Sequence, residues 1–203
     1  MDYMPYQTRL NYIEGFDRMV HERIAENWQP YFLNFMFNNI PGKRSAKKQI
    51  MVDAVFRVYE TLITNVVRKP KSPSWKEYCP FFIGCPDLPV AKSDKDLARN
   101  LNVNDGLHFN GCLLLPPEKK CRLKGHLDDY FRSNPEKYYR DGYPLERLHA
   151  TYIHEGSMVD YALKHFKRGN VSYDDILILP RVGSELRSRS GVTGGIAKAK
   201  HVK

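Results

Sequence analysis

Hydrophobic side chains recur along this chain at two intervals, which separate predicted helices from predicted strands. An interval of three to four residues is typical of an amphipathic helix, because it places the apolar side chains on one face. Four segments have this spacing: residues 8–28, 45–68, 123–131 and 157–168. Lys69-Pro70 ends the second segment and Gly169 ends the fourth, as expected of helix termini.

Strands are predicted where apolar residues alternate with polar ones or run together. The segments are residues 30–38, 78–84, 107–115 and 147–155. Pro80 suggests that the second strand starts late or lies at a sheet edge. The order of elements predicts an α+β fold, with an antiparallel sheet of about four to five strands in a split β-α-β layout. We expect helices on one face of this sheet and a ligand on the other.

One globular unit with extensions accounts for the 203 residues, of which 42% are hydrophobic. We expect an amino-terminal helical extension at 1–29 and the main domain at 30–180. Residues 181–203 are rich in Gly, Ser, Arg and Lys and lack an apolar period, which predicts a basic, flexible tail.

Composition adds a preference for a polyanionic partner. The chain holds 32 Lys and Arg against 23 Asp and Glu, a formal net charge of +9, which suits nucleic acid. Its four cysteines form no C-x-x-C pair, so we expect free thiols in a reducing compartment and no structural zinc site. No apolar run approaches the roughly 18 residues of a membrane span, and the first residues do not resemble a secretory signal. We therefore expect no membrane partner, and a cytoplasmic location or, in a eukaryote, a nuclear one.

The third predicted strand carries two side chains that are able to bind metal. Residues two apart on a strand project side by side, so His108 and Asn110 share a face, and Phe109, Leu113 and Leu115 share the opposite one. An imidazole nitrogen and an amide oxygen at this spacing suit one divalent cation. Taken alone, a polar pair on a solvent-facing strand is the more common explanation.

The last predicted helix carries a tyrosine and a lysine one turn apart. At 100° per residue its polar face holds Tyr161, Lys164, His165 and Arg168, and its apolar face holds Val159, Ala162, Leu163 and Phe166. A phenol ionises only near pH 10, so a tyrosine nucleophile needs a positive charge beside its oxygen or on the phosphate it attacks. Taken alone, an exposed Tyr-Lys pair on a basic helix is the simpler explanation.

Together, these motifs resemble those of the HUH endonucleases, the single-strand DNA nicking and joining enzymes of rolling-circle replication initiators, relaxases and related transposases. The resemblance covers roughly residues 30–168. Tyr161-Ala162-Leu163-Lys164 matches the family's Tyr-x-x-Lys nucleophile motif. His108-Phe109-Asn110 stands where the family has His-hydrophobic-His or His-hydrophobic-Gln, and its Asn is shorter than Gln and a weaker ligand than His.

The resemblance implies a Mg²⁺ or Mn²⁺ ion held by His108, Asn110 and an acidic residue near the end of the preceding strand. Asp87 is the candidate for that position. Competing candidates are Asp105, His154 and Glu155.

The resemblance also implies the chemistry. Tyr161 would attack a phosphodiester and form a 5′-phosphotyrosine link, while Lys164 stabilises nearby negative charge. The implied partners are single-stranded or hairpin DNA and a separate helicase, since the chain has no G-x-x-x-x-G-K-[ST] phosphate loop.

Nucleic-acid contacts are expected from basic side chains near the ends of two predicted helices: Lys43, Arg44, Lys47, Lys48, His165 and Arg168. A second basic cluster is a further candidate: Lys119, Lys120, Arg122 and Lys124. A solvated surface explains either cluster equally well. Three loop tyrosines could stack on bases, although local packing is the more common explanation for them: Tyr138, Tyr139 and Tyr143.

Two other functions fit the same sequence. A non-catalytic RRM-like domain would bind a nucleic-acid strand on an open sheet face without cutting it. Its sheet would favour stacking aromatic residues where His108 and Asn110 stand. A structural or regulatory remnant of a mobile element, with Asn110 marking a lost metal site, is the third alternative.

Overall fold

A five-stranded antiparallel sheet in the order β4-β1-β3-β2-β5 forms the centre of the structure, a computed structural model that describes residues 4–88, 103–154 and 158–181. The strands are β1 (Gln29–Phe37), β2 (Phe81–Asp87), β3 (His108–Leu115), β4 (Leu145–Tyr152) and β5 (Leu177–Leu179). The helices are α1 (Tyr6–Ala25), α2 (Arg44–Val66), α3 (Pro73–Lys76), α4 (Leu127–Arg132), α5 (Pro135–Tyr138), α6 (Met158–Ala162) and α7 (Lys164–Lys167). The predicted α+β class and antiparallel sheet are confirmed.

Helices cover both faces of the sheet, which differs from the expected one-sided arrangement. Every residue of β2 and all but the first residue of β3 are buried, so these two strands need cover on both sides. One face packs on α2, α4 and α5 in the larger apolar core. The other face packs on α1, α6 and α7 in a second core.

The sheet face that packs on α1, α6 and α7 is only partly covered by these helices. Along β4, Leu148 and Ala150 are buried in the larger core, whereas Arg147, His149 and Thr151 are exposed on the opposite side. The expectation of a sheet surface that is free for a ligand therefore holds for the part of this face next to β4.

The register of the central strands brings distant polar residues together. β1 pairs with β3 so that Asn34 lies opposite Asn110, and β2 pairs with β3 so that Asp87 lies opposite His108. Directly opposed residues of an antiparallel pair point to the same face. These four side chains therefore lie on the face that carries α1, α6 and α7.

Two predicted segments differ from the observed elements in an informative way. The second strand begins at Phe81, three residues later than predicted, and β5 pairs along its outer side, so β2 is not an edge strand. The helix predicted over 157–168 is divided at Leu163, whose φ of −104° and ψ of 18° separate α6 from α7.

The predicted amino-terminal extension is helical as α1, which packs against α6 and α7. Of the predicted tail, all but Arg181 lies outside the described residues. Among the described helices, none is long and apolar enough to cross a membrane.

Two glycines, Gly84 and Gly111, face each other across β2 and β3 and make room for an aromatic ring of the core. A Cβ on Gly111 would lie 2.3 Å from two ring atoms of Phe82. The ring is fully buried and packs edge-on to Phe35, so it has no space to retreat.

We expect Gly111→Ala to lower the free energy of unfolding by about 2 kcal/mol, because the added methyl group overpacks the core. Gly15→Ala is the matched control: its Cβ would meet nothing within 4 Å on α1, and it should raise stability by about 0.5 to 1 kcal/mol. Urea unfolding measures both. An unchanged midpoint for Gly111→Ala would show that the ring is not held as described.

Candidate active site

The carboxylate of Asp87, at the end of β2, is the centre of a buried polar cluster. Its side chain is only 1% exposed. His108 Nε2 and Lys164 Nζ lie 3.2 and 2.7 Å from its Oδ2 atom, and His165 Nε2 lies 2.9 Å from Oδ1. Asn110 Nδ2 donates a further short hydrogen bond to Oδ2.

The ring of His108 directs its Nε2 atom at the Asp87 carboxylate. Its Nδ1 atom lies 3.1 Å from the carbonyl oxygen of Gly106, which only accepts hydrogen bonds, so Nδ1 carries a proton. In the neutral imidazole, Nε2 is then an unprotonated acceptor, 3.2 Å from a carboxylate oxygen. Two acceptors at this distance repel each other unless a proton or a cation lies between them.

Asn110 presents its amide nitrogen, not its oxygen, to the cluster. Its Oδ1 accepts a 2.8 Å hydrogen bond from Asn34 Nδ2, and its Nδ2 points to Asp87 and to His108. A metal ion needs the oxygen. The predicted role of Asn110 as a ligand therefore requires a reversal of its amide, and the amide of Asn34 is able to reverse with it.

The start of α7 supplies two of the four side chains that surround the Asp87 carboxylate. The division of the predicted helix at Leu163 is followed directly by Lys164 and His165, which reach the two different oxygens of the carboxylate. Asn170 Nδ2 lies 3.1 Å from His165 Nδ1 and donates to it, so the proton of a neutral His165 is on Nε2, facing Asp87.

The predicted nucleophile lies at the surface beside this cluster. Tyr161 is 55% exposed, and its ring packs edge-on against Phe32 of β1 with the centroids 5.1 Å apart. Lys164 Nζ lies 4.6 Å from the centre of the same ring. Lys164 therefore contacts both the predicted nucleophile and the predicted metal ligand.

A thiol ties the nucleophile helix to the sheet. Cys85, two residues before Asp87, lies 3.4 Å from the carbonyl oxygen of Ala162 at the end of α6. Burial, together with the nearby charge of Asp87, raises the pKa of Cys85 to about 12, so the thiol keeps its proton and donates it to this bond. The contact holds α6 against β2 next to Tyr161.

The environment of Asp87 favours its charged form. Burial alone raises the pKa of a carboxyl group, but hydrogen bonds from His108 and Lys164 outweigh burial, and the pKa of Asp87 is lowered. Burial lowers the pKa of His165, against the opposing effect of the Asp87 charge. The resting cluster thus combines a carboxylate and an ammonium with a His165 ring that favours its neutral form.

The cluster fits a divalent cation in part. His108 Nε2 and the Asp87 carboxylate are ligand types that Mn²⁺ accepts, and His108 Nε2 already lies 3.2 Å from Asp87 Oδ2. Among the described residues, no group of three His, Cys, Asp or Glu side chains is arranged to hold a metal ion. Asn110 or water would have to supply the remaining oxygens.

The competing candidates for the acidic ligand lie elsewhere. Asp105 is 77% exposed and forms an ion pair with Lys47. His154 packs on Tyr152 beyond the end of β4, and Glu155 lies outside the described residues. Of the three candidates that the structure describes, Asp87 is the one that lies beside His108.

Three of the predicted nucleic-acid contacts are engaged within the protein. His165 is 4% exposed and faces Asp87, so its prediction as a surface contact is wrong. Lys47 and Lys48 pair with Asp105 and Asp175, and their side chains are only 12% and 15% exposed. These two lysines hold α2 against neighbouring segments and present little charge to a ligand.

The remaining predicted contacts, Lys43, Arg44 and Arg168, are exposed, as such a role requires. Among the loop tyrosines, Tyr138 is buried beside Phe131, so it is closed to stacking on bases.

Sequence reasoning missed the roles of two residues. Asn34 holds the amide of Asn110, and His165 contacts Asp87 from α7. The alternation of β1 does place Asn34 on the polar face of that strand, which is a signal for the first residue. Only the tertiary packing reveals the second.

No protein-family model, curated protein or solved structure matches this chain. The resemblance to the HUH endonucleases therefore rests on the motifs themselves, and it remains a hypothesis.

The lowered pKa of Asp87 predicts how stability depends on pH. A carboxyl group with a folded pKa below its unfolded value stabilises the fold above the unfolded pKa, here 3.8, and this contribution is lost as pH falls through the folded pKa. Below about pH 4, the wild-type protein should therefore lose stability more steeply than Asp87→Asn. Urea unfolding between about pH 6 and 3 measures both slopes.

Asp160→Asn is the control for this experiment, because it removes the carboxylate of a more exposed ion pair on the same face. Equal slopes for the wild-type protein and Asp87→Asn would contradict the charged state assigned to Asp87.

Proposed function

We propose that this protein is a metal-dependent endonuclease and strand transferase that nicks and rejoins single-stranded DNA through a tyrosine nucleophile. One observation carries the proposal. His108 Nε2 and Lys164 Nζ, from two separate segments, both lie within 3.2 Å of one carboxylate oxygen of Asp87 in a third segment. Lys164 also contacts the ring of Tyr161. Each motif is common when taken alone, and their convergence is what favours a catalytic site.

The exposure of Tyr161 suits attack on a polymer. Its ring is supported from one side by Phe32, so the phenol has a fixed position and still faces solvent. In the proposed reaction the phenolic oxygen bonds to phosphorus, and the bond from phosphorus to the 3′-oxygen breaks. The phenol proton finally resides on the released 3′-hydroxyl. Reversal of the same step joins a strand.

The residues of the Asp87 cluster have separate roles in this proposal. Asp87 and His108, with Asn110 after reversal of its amide, would hold a Mg²⁺ or Mn²⁺ ion. The bound ion polarises the scissile phosphate. Lys164 stabilises the negative charge that develops on the phenolic oxygen of Tyr161.

The charge of the chain supports a nucleic-acid substrate. A net charge of +9 favours a polyanion, and Arg147 and His149 are exposed on the uncovered part of the sheet. His149 lies opposite Asn34, which bonds to Asn110, so this open surface adjoins the cluster. Single-stranded or hairpin DNA in a bacterial cytoplasm or a nucleus, unwound by a separate helicase, is the proposed context.

An adduct assay tests the nucleophile. Single-stranded hairpin oligonucleotides with randomised loops and a 3′ fluorescent label are incubated with protein and Mn²⁺, because the enzyme would retain the 3′ segment through its 5′-phosphate. We expect a labelled protein band on a denaturing gel for wild type and none for Tyr161→Phe, which lacks the attacking oxygen.

Tyr173→Phe is the matched control, since Tyr173 is 40% exposed and lies outside the cluster. An equal adduct with Tyr161→Phe would place the nucleophile elsewhere. Retarded oligonucleotide on a native gel without any adduct would favour the alternative of a non-catalytic RRM-like binding protein.

The metal requirement has its own prediction. Chelation and His108→Ala should each reduce the adduct to background, because His108 would hold the ion that polarises the phosphate. His126→Ala, a change at an exposed histidine on another part of the fold, should leave it intact. An adduct that survives both chelation and His108→Ala would exclude the proposed metal site.

A further inference from the structure

Lys164 lies where a cation bound to Asp87 would lie. Its Nζ atom is 2.7 Å from Oδ2, the same oxygen that lies 3.2 Å from His108 Nε2. We propose that the Lys164 ammonium stands in for the divalent cation in the cation-free protein and that cation binding displaces it towards Tyr161. The inference rests on the proposed metal-dependent function and adds a coupling between the ion and the nucleophile.

Charge balance makes the two occupants mutually exclusive. Asp87 supplies one negative charge, and the groups that contact its carboxylate are the side chains of Lys164, His108, His165 and Asn110 and the backbone N–H of Leu88. None of these groups brings a second negative charge. A divalent ion and an ammonium on one buried carboxylate oxygen would repel each other at short range in a medium of low dielectric.

Lys164 has the most exposed side chain among the ionisable groups of the cluster. Its side chain is 21% exposed, against 17% for His108, 4% for His165 and 1% for Asp87. The backbone N–H of Leu88 donates a 2.9 Å hydrogen bond to the other oxygen, Oδ1, so it can hold the carboxylate in place while the partner on Oδ2 changes. An exchange of the ammonium for a metal ion on Oδ2 therefore needs the displacement of Lys164, and ligation by Asn110 adds the reversal of its amide.

The ring of Tyr161 is close enough to contact the Lys164 ammonium after its displacement from Asp87. Lys164 Nζ is already 4.6 Å from the centre of the Tyr161 ring, and that ring is 55% exposed. Released from Asp87, the ammonium can approach the phenolic oxygen and stabilise negative charge there. Binding of the ion would thus complete the metal site and prepare the nucleophile in one step.

Metal affinity in the absence of DNA tests the exchange. Mn²⁺ binding is measured from the electron paramagnetic resonance signal of the free ion, for wild type, Lys164→Met, Lys167→Met and Asp87→Asn. We expect Lys164→Met to bind Mn²⁺ at least about ten-fold more tightly, since a neighbouring charge alters a carboxylate's affinity for a cation by this factor or more. Lys167→Met is the matched control, because Lys167 pairs with Asp160 in the same segment.

The outcomes separate this inference from the proposed function. Equal or weaker Mn²⁺ binding by Lys164→Met, with wild-type binding abolished by Asp87→Asn, would overturn the exchange and leave the metal site in place. A lack of Mn²⁺ binding by every form would overturn both. Thermal unfolding with and without Mn²⁺ checks that Lys164→Met is folded, and Mn²⁺ should raise its midpoint more than that of wild type.

The unaltered protein provides a second measurement. A small amine-reactive reagent labels lysines in proportion to the accessibility of the free amine, and mass spectrometry locates the label. Mn²⁺ should increase labelling of Lys164 several-fold and leave Lys167 unchanged. Unchanged or reduced labelling of Lys164 at saturating Mn²⁺ would contradict its displacement.

Discussion

The buried carboxylate of Asp87 is the constraint on which the candidate site depends. A carboxylate removed from water to this extent destabilises a fold by several kcal/mol unless opposite charge and hydrogen-bond donors surround it. Here the donors come from β3, from α7 and from the backbone N–H of Leu88, so the strand with the metal motif and the helix that begins at Lys164 are held to the same point. The site is therefore part of what fixes α7 on the sheet.

One face of the sheet is covered by helices over β2 and β3 and open along β4. α1, α6 and α7 pack over β2 and β3, and the apolar second core holds them there. The neighbouring polar surface along β4 stays exposed. A polymeric substrate would approach from that side, where Tyr161 is also exposed. Asp87 is buried, and the side chains of His108 and Lys164, 17% and 21% exposed, are the parts of its cluster that a substrate would reach. One helix pair thus both shields the charged centre and presents the nucleophile.

Local pattern predicted most of the fold and the members of the site, but not their contacts. The long helices α1 and α2 and the strands β1 and β3 begin and end within three residues of the predicted positions, because their hydrophobic periodicity is strong. β5 has three residues, too few for alternation to be recognised. The helical spacing correctly grouped Lys164 with His165, but it does not indicate what that face meets. That helix face lies against Asp87, 77 residues before Lys164 in the chain. Local spacing also does not indicate the hydrogen bond between Asn34 and Asn110, which are likewise far apart in sequence.

The central claim is that Asp87 and His108 form a divalent-cation site beside a tyrosine nucleophile. The most direct measurement is a crystal structure of the protein with Mn²⁺, with the ion located by its anomalous scattering. We predict one peak about 2.1 Å from both Asp87 Oδ2 and His108 Nε2, with the Lys164 ammonium moved away from Asp87. A map with Lys164 still on Asp87 and no Mn²⁺ peak beside it would contradict the account.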